Sequence, residues 1–351
     1  MKKFLKQILF RLSVLLLACA VIFCIRWKTD YYGHLPDGSQ YGKATWDLEK
    51  LKTMTIDSNT VVFIGSSLCQ HGINDSLLSR NSKTRFINLA IPGSCNALSL
   101  NMLKRVLLRG KPKKVYFTLK FYYTLGIHPI WPMIEEPSVI ASSIFDGNAN
   151  AVKSVFYHIG WNINYLTRCV KHFKKTMPSY TSTWGHEAPS SSISQKEFEA
   201  NYEDCSQTFM KLLLNQEKEL KGEKMARPDG WLQFPRRCWQ DLYHWDLRKL
   251  QNADYQDFML NKACELCESE GVDYDLIYFP TVFQIKEKKS HITADYYARF
   301  ILKNVNTVKH RILFYEPEEL TAFDCWEDMG GHLNEKGATI QTTAFMKDTL
   351  K

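Results

Sequence analysis

No run of about twenty consecutive apolar residues, the length a helix needs to cross a bilayer, occurs in the 351-residue chain. The longest such stretch, Leu12 to Ile25, is shorter. Basic residues outnumber acidic ones, 45 to 37, but they form no stripe. Short clusters stand at Lys2-Lys3, Lys171–Lys175 and Lys286–Lys289, and no nucleic-acid-binding module accompanies them, which excludes that class of partner. A mildly basic surface suits anionic glycans or lipid headgroups instead. Metal-ligand spacing is also lacking. Cys264-Glu265-Leu266-Cys267 has no second CxxC and no His pair to complete a zinc site, so it reads as packing on an amphipathic helix. His158, His172, His186 and His244 show no ligand spacing. No metal ion or cofactor is expected. Disorder is excluded by composition, with 45% hydrophobic and 23% charged residues.

What is present begins at the N-terminus. Lys2, Lys3, Lys6 and Arg11 precede the apolar stretch, and Arg26 and Lys28 close it. Extending it back through Ile8, with Arg11 snorkelling, brings it near spanning length. The positive flank stays in the cytoplasm, placing residue 30 onward outside. The expectation is a single-pass signal-anchor in the cytoplasmic (inner) membrane with an extracytoplasmic, periplasmic domain. Two alternatives stay open. One is a cleaved signal peptide. The other is a lipoprotein, since Leu16-Leu17-Ala18-Cys19 resembles a cleavage box, although apolar residues continue after it. Of ten cysteines, Cys19 and Cys24 lie in the apolar segment. The even remainder permits disulfides without indicating a pairing. Cys69 and Cys95 read as small buried fillers.

The chain is organised around Val61–Asp75. Val61 to Ile64 are apolar and run into Gly65-Ser66-Ser67, the pattern of a buried parallel strand ending in a turn. Leu68 to Ser79 can be helical. A serine at a sharp strand-to-helix turn has its hydroxyl lifted clear of the sheet, with turn N–H groups nearby to stabilise an oxyanion. Ser67 is the candidate nucleophile, against the plainer reading of Gly-Ser-Ser as a turn with a serine cap. Further strands are expected at Thr84–Leu89, Lys114–Leu119, Val272–Pro280 and Arg311–Tyr315, alternating with helices at Ser94–Arg109, Asp254–Glu270, Asp295–Asn304 and Glu335–Leu350. That alternation argues a parallel, doubly wound α/β sheet with its site at the strands' carboxyl ends.

Residues 1–28 read as a cytoplasmic tip and anchor, 29–57 as a juxtamembrane linker, 58–127 and 251–351 as the α/β core. Residues 128–250 read as an inserted helical cap holding six of the nine tryptophans, with helices at Ala149–Lys175 and Gln195–Lys221 around a Ser/Thr/Pro-rich loop. Those aromatics are either the cap's own core or a surface for stacking on sugar faces.

Near the C-terminus stands Asp328-Met329-Gly330-Gly331-His332-Leu333-Asn334-Glu335-Lys336-Gly337-Ala338. A histidine just before a terminal helix, with acids close by, can supply a base and its orienting carboxylate from one loop. An early strand–Gly-x-Ser turn with a late Asp…His-Leu-Asn…Gly pattern resembles the SGNH (GDSL-like) hydrolase superfamily. More narrowly it resembles membrane-anchored SGNH-like envelope proteins, related to alginate O-acetyltransferases and the D-alanyl-transfer proteins of teichoic acid synthesis. The resemblance covers residues 59–125 and 270–351. It implies a flavodoxin-like three-layer parallel sheet, with Ser67 as nucleophile, His332 as base, Asp328 orienting it, and the N–H groups of Ser67 and Gly93 as oxyanion donors. Gly93 reads equally as a plain strand-to-helix turn. The family has Asp-x-x-His, whereas Asp328 lies four residues before His332; Gly330-Gly331 can absorb the difference, with Asp324 and Glu327 as fallback partners. After the third strand the family has Gly-x-Asn-Asp, and this chain has Lys120-Phe121-Tyr122-Tyr123. Tyr122 or Tyr123 is the substitute donor, or the site lacks it. Two functions stay open: an O-acetyltransferase or esterase acting on envelope or exopolysaccharide glycan, and a non-catalytic glycan-binding or accessory protein of a multispanning membrane acyltransferase.

Overall fold

The structure, a computed structural model, describes residues 2–29, 47–48, 50–92, 97–119, 188–223, 247–302, 305–328 and 331–350. The chain divides into two compact units, Met1–Glu49 with Pro129–Tyr180 and Lys50–His128 with Thr181–Lys351. In the first unit a helix, α1, runs Lys2–Thr29. It carries many exposed apolar side chains, among them Phe10, Leu12 and Leu17. It stands where an anchor is expected, but among the described residues no helix is long and apolar enough to cross a membrane.

The second unit is an α/β fold. Five strands, β1 (Thr60–Ile64), β2 (Arg85–Asn88), β3 (Lys114–Leu119), β4 (Asp273–Tyr278) and β5 (Ile312–Leu313), form one sheet in the order β2-β1-β3-β4-β5. Every pairing is parallel. That order is the flavodoxin-like doubly wound one, in which the chain reverses direction across the sheet beside its first strand. β1 is central, with Val62 opposite Ile87 on one side and Val115 on the other. Flanked on both edges and covered on both faces, it is buried throughout, which is why its sequence is continuously apolar.

The helices are α2 (Ser67–Gly72), α3 (Asp75–Arg80), α4 (Ala97–Leu107), α5 (Gln195–Leu220), α6 (Leu247–Glu270), α7 (Val282–Glu287), α8 (Ser290–Tyr296) and α9 (Glu335–Thr349). On one face of the sheet, Val61, Phe63, Phe86, Tyr116, Ile277 and Leu313 pack with Leu68 and Cys69 of α2, Ile73 just after it, Leu78 of α3 and Phe345 of α9. Phe63 is its middle, stacked on Tyr116 at 5.0 Å and edge-on to Phe345 at 5.5 Å. α4 and α6 pack against each other and against β1 and β4. There Phe117 meets Tyr274 edge-on at 6.1 Å. α5 lies against α7 and α8, with Phe209 stacked on Phe283 at 4.9 Å.

β2 is an edge strand, and α3 blunts it. Ser79 Oγ accepts the Phe86 N–H at 2.9 Å and Asp75 Oδ2 accepts the Asn88 N–H at 2.9 Å. Side chains thus occupy donors that would otherwise invite another strand.

Several elements differ from their sequence expectation. The helix expected over Leu68–Ser79 is two helices, because the Asn74 side chain accepts the Leu77 N–H at 2.8 Å and starts α3 afresh. β5 has two residues rather than five. The helix expected from Asp295 begins at Ser290 and continues as a π-helical turn, Tyr297–Ile301. α7 was not foreseen. A capping box starts it, Thr281 accepting from the Gln284 backbone while the Gln284 side chain accepts the Thr281 N–H. The expected helix at 149–175, the six tryptophans of the 128–250 region and its four histidines lie outside the described residues. Cys69, Cys264, Cys267 and Cys325 are buried free thiols, whereas Cys205 on α5 is disulfide-bonded.

Candidate active site

β1 delivers the serine. At its carboxyl end Gly65 packs so closely on β3 that a Cβ there would lie 2.0 Å from Thr118 Oγ1. Only glycine lets the two strands' ends converge at that point. Ser66 follows in extended backbone (φ −105°, ψ −172°), and its carbonyl accepts the N–H groups of Cys69 and Gln70 at 2.9 and 3.0 Å. Ser67 therefore sits at the first position of α2, where the N–H has no partner within the helix.

α2 is gripped from two sides. The buried Asn88 amide on β2 donates to the carbonyls of Cys69 and Ile73, both at 2.9 Å. On the other side Thr342 of α9 accepts the Asn74 N–H at 2.9 Å, and the ring of Phe279 lies 2.6 Å from where a Gly72 Cβ would be.

The histidine comes from a short closed loop. Trp326 and Leu333 form an antiparallel bridge, and the Glu327 N–H donates to the His332 carbonyl at 2.9 Å. Trp326 is buried and donates its indole N–H to the Leu320 carbonyl at 2.8 Å, tying the loop to two 3₁₀ turns, Glu318–Thr321 and Phe323–Cys325. Asn334, not His332, caps α9, accepting the Gly337 N–H at 3.0 Å and donating to the Asp324 carbonyl at 2.8 Å. That frees the His332 ring for another task.

Residues 265 positions apart in sequence then meet. His332 Nε2 lies 2.8 Å from Ser67 Oγ, and His332 Nδ1 lies 2.6 Å from Asp328 Oδ2. Asp328 Oδ1 accepts the N–H groups of Gly331 and His332 at 2.9 and 3.0 Å. The carboxylate thus closes the loop itself, which is how a four-residue separation from His332 is accommodated. Burial pushes the Asp328 carboxyl up. The charge and hydrogen bond of His332, with the two backbone donors, outweigh this and hold it below the usual carboxylate range. An ionised carboxylate can only accept, so Nδ1 carries the imidazole proton and Nε2 turns its lone pair to the serine hydroxyl.

No protein-family model, curated protein or solved structure matches this chain.

The structure thus brings Ser67, His332 and Asp328 together. Gly93, Tyr122 and Tyr123 lie outside the described residues. The fallback acids lie elsewhere: Asp324 Oδ2 pairs with Lys336 Nζ at 2.6 Å, and Glu327 Oε2 lies 3.1 Å from His71 Nδ1 without hydrogen-bond geometry. Sequence reasoning missed His71, Asn88 and Thr342. His71 had a usable signal, standing four residues after Ser67 and so on the same helical face. The other two act through backbone groups, which leave no pattern. Among the described residues no group of three or more His, Cys, Asp or Glu side chains could hold a metal ion.

Proposed function

We propose that this chain is a membrane-attached, extracytoplasmic SGNH-like acyl-ester enzyme, an O-acetyltransferase or esterase acting on envelope or exopolysaccharide glycan. The observation that carries the reading is the hydrogen-bonded line from Asp328 through His332 to Ser67, 2.6 and 2.8 Å. A nucleophile in reach of a base that a third group orients is the signature of an activated serine.

In this mechanism His332 Nε2 takes the Ser67 proton as Oγ attacks the acyl carbonyl. The resulting oxyanion is held by the Ser67 N–H and, by the family resemblance, Gly93. Collapse expels the donor alkoxide, which takes the proton from His332, and leaves an acyl-serine. Water or a sugar hydroxyl then gives its proton to His332 and attacks the acyl carbon, restoring Ser67. Asp328 stabilises the imidazolium formed in each half without itself taking the proton.

Two observations support the location. Cys205 is disulfide-bonded, which suits an oxidising compartment, and α1 carries exposed apolar side chains behind a basic N-terminal flank. The second reading, a non-catalytic glycan-binding partner of a multispanning acyltransferase, is favoured by Lys120–Tyr123 standing in place of Gly-x-Asn-Asp. Losing one oxyanion donor costs roughly 10²–10³ in turnover.

Covalent labelling with a fluorophosphonate separates the two. An enzyme is labelled at Ser67 in the wild type and not in Ser67→Ala, and only slowly in His332→Ala. A folded wild type that is not labelled and turns over no acyl ester, but retains glycan, overturns the enzyme reading in favour of the second.

A further inference from the structure

The basic residues are scattered in sequence, and the fold gathers a group of them. Residues 50–114 hold eleven Lys and Arg against two acids, Asp57 and Asp75, a net +9, whereas the whole chain nets +8. Several of these cations are tied to residues 55–60, which lead into β1. The Lys113 N–H donates to the Thr60 carbonyl at 2.7 Å, the Arg85 N–H to the Asn59 carbonyl at 2.9 Å, and the Ile56 N–H to the Arg109 carbonyl at 3.1 Å. The Asn59 amide donates to the Lys83 carbonyl at 2.8 Å, and the Arg85 guanidinium donates back to the Thr55 carbonyl and the Thr60 hydroxyl. Lys83, Arg85, Arg109 and Lys113 therefore stand around the amino-terminal ends of β1, β2 and β3. Arg80 adds a fifth cation, lining with Arg85, Ser76 and Ser79 a cavity of about 640 Å³ beside β2. The Asp75 carboxylate also lines it, but accepts the Ser76 and Asn88 N–H groups. Arg80, Lys83, Arg85 and Lys113 are exposed, and among the described residues none of the five is in a salt bridge. The neighbouring Lys111 and Lys114, in contrast, pair with Glu270, Asp273 and Asp275. Five cations thus face one exposed acid, Asp57, whose carboxylate accepts the Thr60 hydroxyl at 2.6 Å and the Asn59 N–H at 3.1 Å.

We propose that this amino-terminal face of the sheet docks on the headgroups of an anionic bilayer. Like charges gathered without partners repel one another, and an anionic surface relieves that repulsion. Each Lys or Arg held near such a surface adds attraction. The charges here are spread across the ends of three strands rather than sunk in one groove, as a plane of headgroups requires. The cavity lined by Arg80 and Arg85 admits a headgroup phosphate, which guanidinium groups bind bidentately. The order of the chain points to a lipid. α1 carries Lys2, Lys3, Lys6, Arg11, Arg26 and Lys28 and no acid, with exposed apolar side chains, and the polypeptide that follows it reaches β1 through residues 55–60. The consequence concerns the site. β1 is five residues long, roughly 16 Å at the rise of a strand, and Ser67 stands beyond its carboxyl end. Docking by the amino-terminal face turns Ser67 away from the bilayer, toward substrates in the surrounding envelope.

The inference rests on the membrane-attached reading and not on the serine chemistry. The full chain is mixed with vesicles of phosphatidylcholine, alone or with about 30% phosphatidylglycerol, floated, and acetylated with an amine-reactive ester, the modified lysines being read by peptide mass. Lys83 and Lys113 are expected to react at least about threefold more slowly on the anionic vesicles than on the neutral ones. Salt at about 0.5 M is expected to abolish the difference, since it shortens the reach of the charges. Lys211 on α5 and Lys288 after α7, both exposed, are expected to react alike on the two vesicle types. Attachment through α1 alone leaves all four lysines alike, so it does not imitate the result. Arg80→Glu/Lys113→Glu, at two exposed positions, is expected to lose the protection of Lys83. Equal modification of Lys83 and Lys113 on both vesicle types overturns the docking face, as does equal protection of Lys211 and Lys288, or undiminished protection of Lys83 in the variant. Protection by a soluble anionic polysaccharide that equals or exceeds that by the vesicles overturns the lipid in favour of a glycan. A chain that floats with neither vesicle type refutes the membrane-attached reading together with this face. One that floats with both and leaves Lys83 and Lys113 unprotected refutes only the face.

Discussion

Asp328 makes three contacts with one carboxylate, two of them to backbone N–H groups of its own loop. Its substitution therefore affects both the ring's tautomer and the loop's closure. Asp328→Asn is expected to lower fluorophosphonate labelling by roughly 10³- to 10⁴-fold while leaving Ser67 in place, because an amide no longer selects the Nδ1–H tautomer. The labelling time course of purified variants checks this. Asp328 also fixes the acid behaviour of the site. Its folded-state ionisation is shifted down, so its contribution is present above the ordinary carboxylate range and lost only as pH falls through the lowered value. On acidification, labelling is expected to fall before Asp328 is protonated, because an imidazole that carries both protons cannot take the Ser67 proton. Thermal stability, read by calorimetry at each pH, should hold through that window as far as Asp328 is concerned.

At the scale of elements, the site depends on junctions where the backbone comes too close to its neighbour for a Cβ, and besides Gly72 against Phe279 there are two. Gly65 meets Thr118 across β1 and β3, and Gly337 would place a Cβ 2.2 Å from the Cys325 carbonyl oxygen. In the first case the obstacle is a side chain; in the second it is main chain and cannot turn aside. Gly65→Ala is expected to destabilise the protein by about 1–3 kcal/mol, with little of the loss recovered in Gly65→Ala/Thr118→Ala, whose remaining Thr118 Cβ position lies 2.4 Å from the added carbon, and more in Gly65→Ala/Thr118→Gly. Gly337→Ala has no such partner to trim and should also reduce Ser67 labelling, since it pushes α9 from the turn that carries the histidine loop. Denaturant midpoints of the single and double variants distinguish the two. Phe345, which seals α9 onto Phe63 and Tyr116, is expected to cost about 3–5 kcal/mol on truncation to alanine.

For the whole molecule the cysteines give the clearest expectation. Burial pushes Cys69 and Cys267 up to about 12 and Cys325 up to about 11. A protonated, buried thiol is a poor nucleophile. In the native protein these three, with Cys264, should resist alkylation until denaturant is added, as mapped by peptide mass. Cys205 should stay blocked even then unless a reductant is present. Its release by reductant is expected to lower stability by about 2–5 kcal/mol, seen as a reductant-dependent melting temperature.

Much was legible in the sequence because it rests on local chemistry. The apolar run of β1, the strand at Lys114–Leu119, the glycine–serine turn and the histidine before a capped terminal helix each carry their signal within a few residues, set by period and turn chemistry. From these the parallel α/β class and the candidates Ser67 and His332 follow, whereas Asp328 is singled out from Asp324 and Glu327 only by the family resemblance. The sequence could not show that Asn74 divides one apolar helix in two, since a capping side chain competes with helix continuation only once α3 has β2 to pack on. Nor could it show that β5 is two residues long, or that Glu327 turns to His71 and leaves His332 to Asp328. Those outcomes depend on distances between segments far apart in the chain. Ser67 and His332 come within 2.8 Å because α9 packs on α2 and on its surroundings, Thr342 against Asn74 just beyond α2 and Phe345 against Phe63 of β1, and only packing in three dimensions decides that.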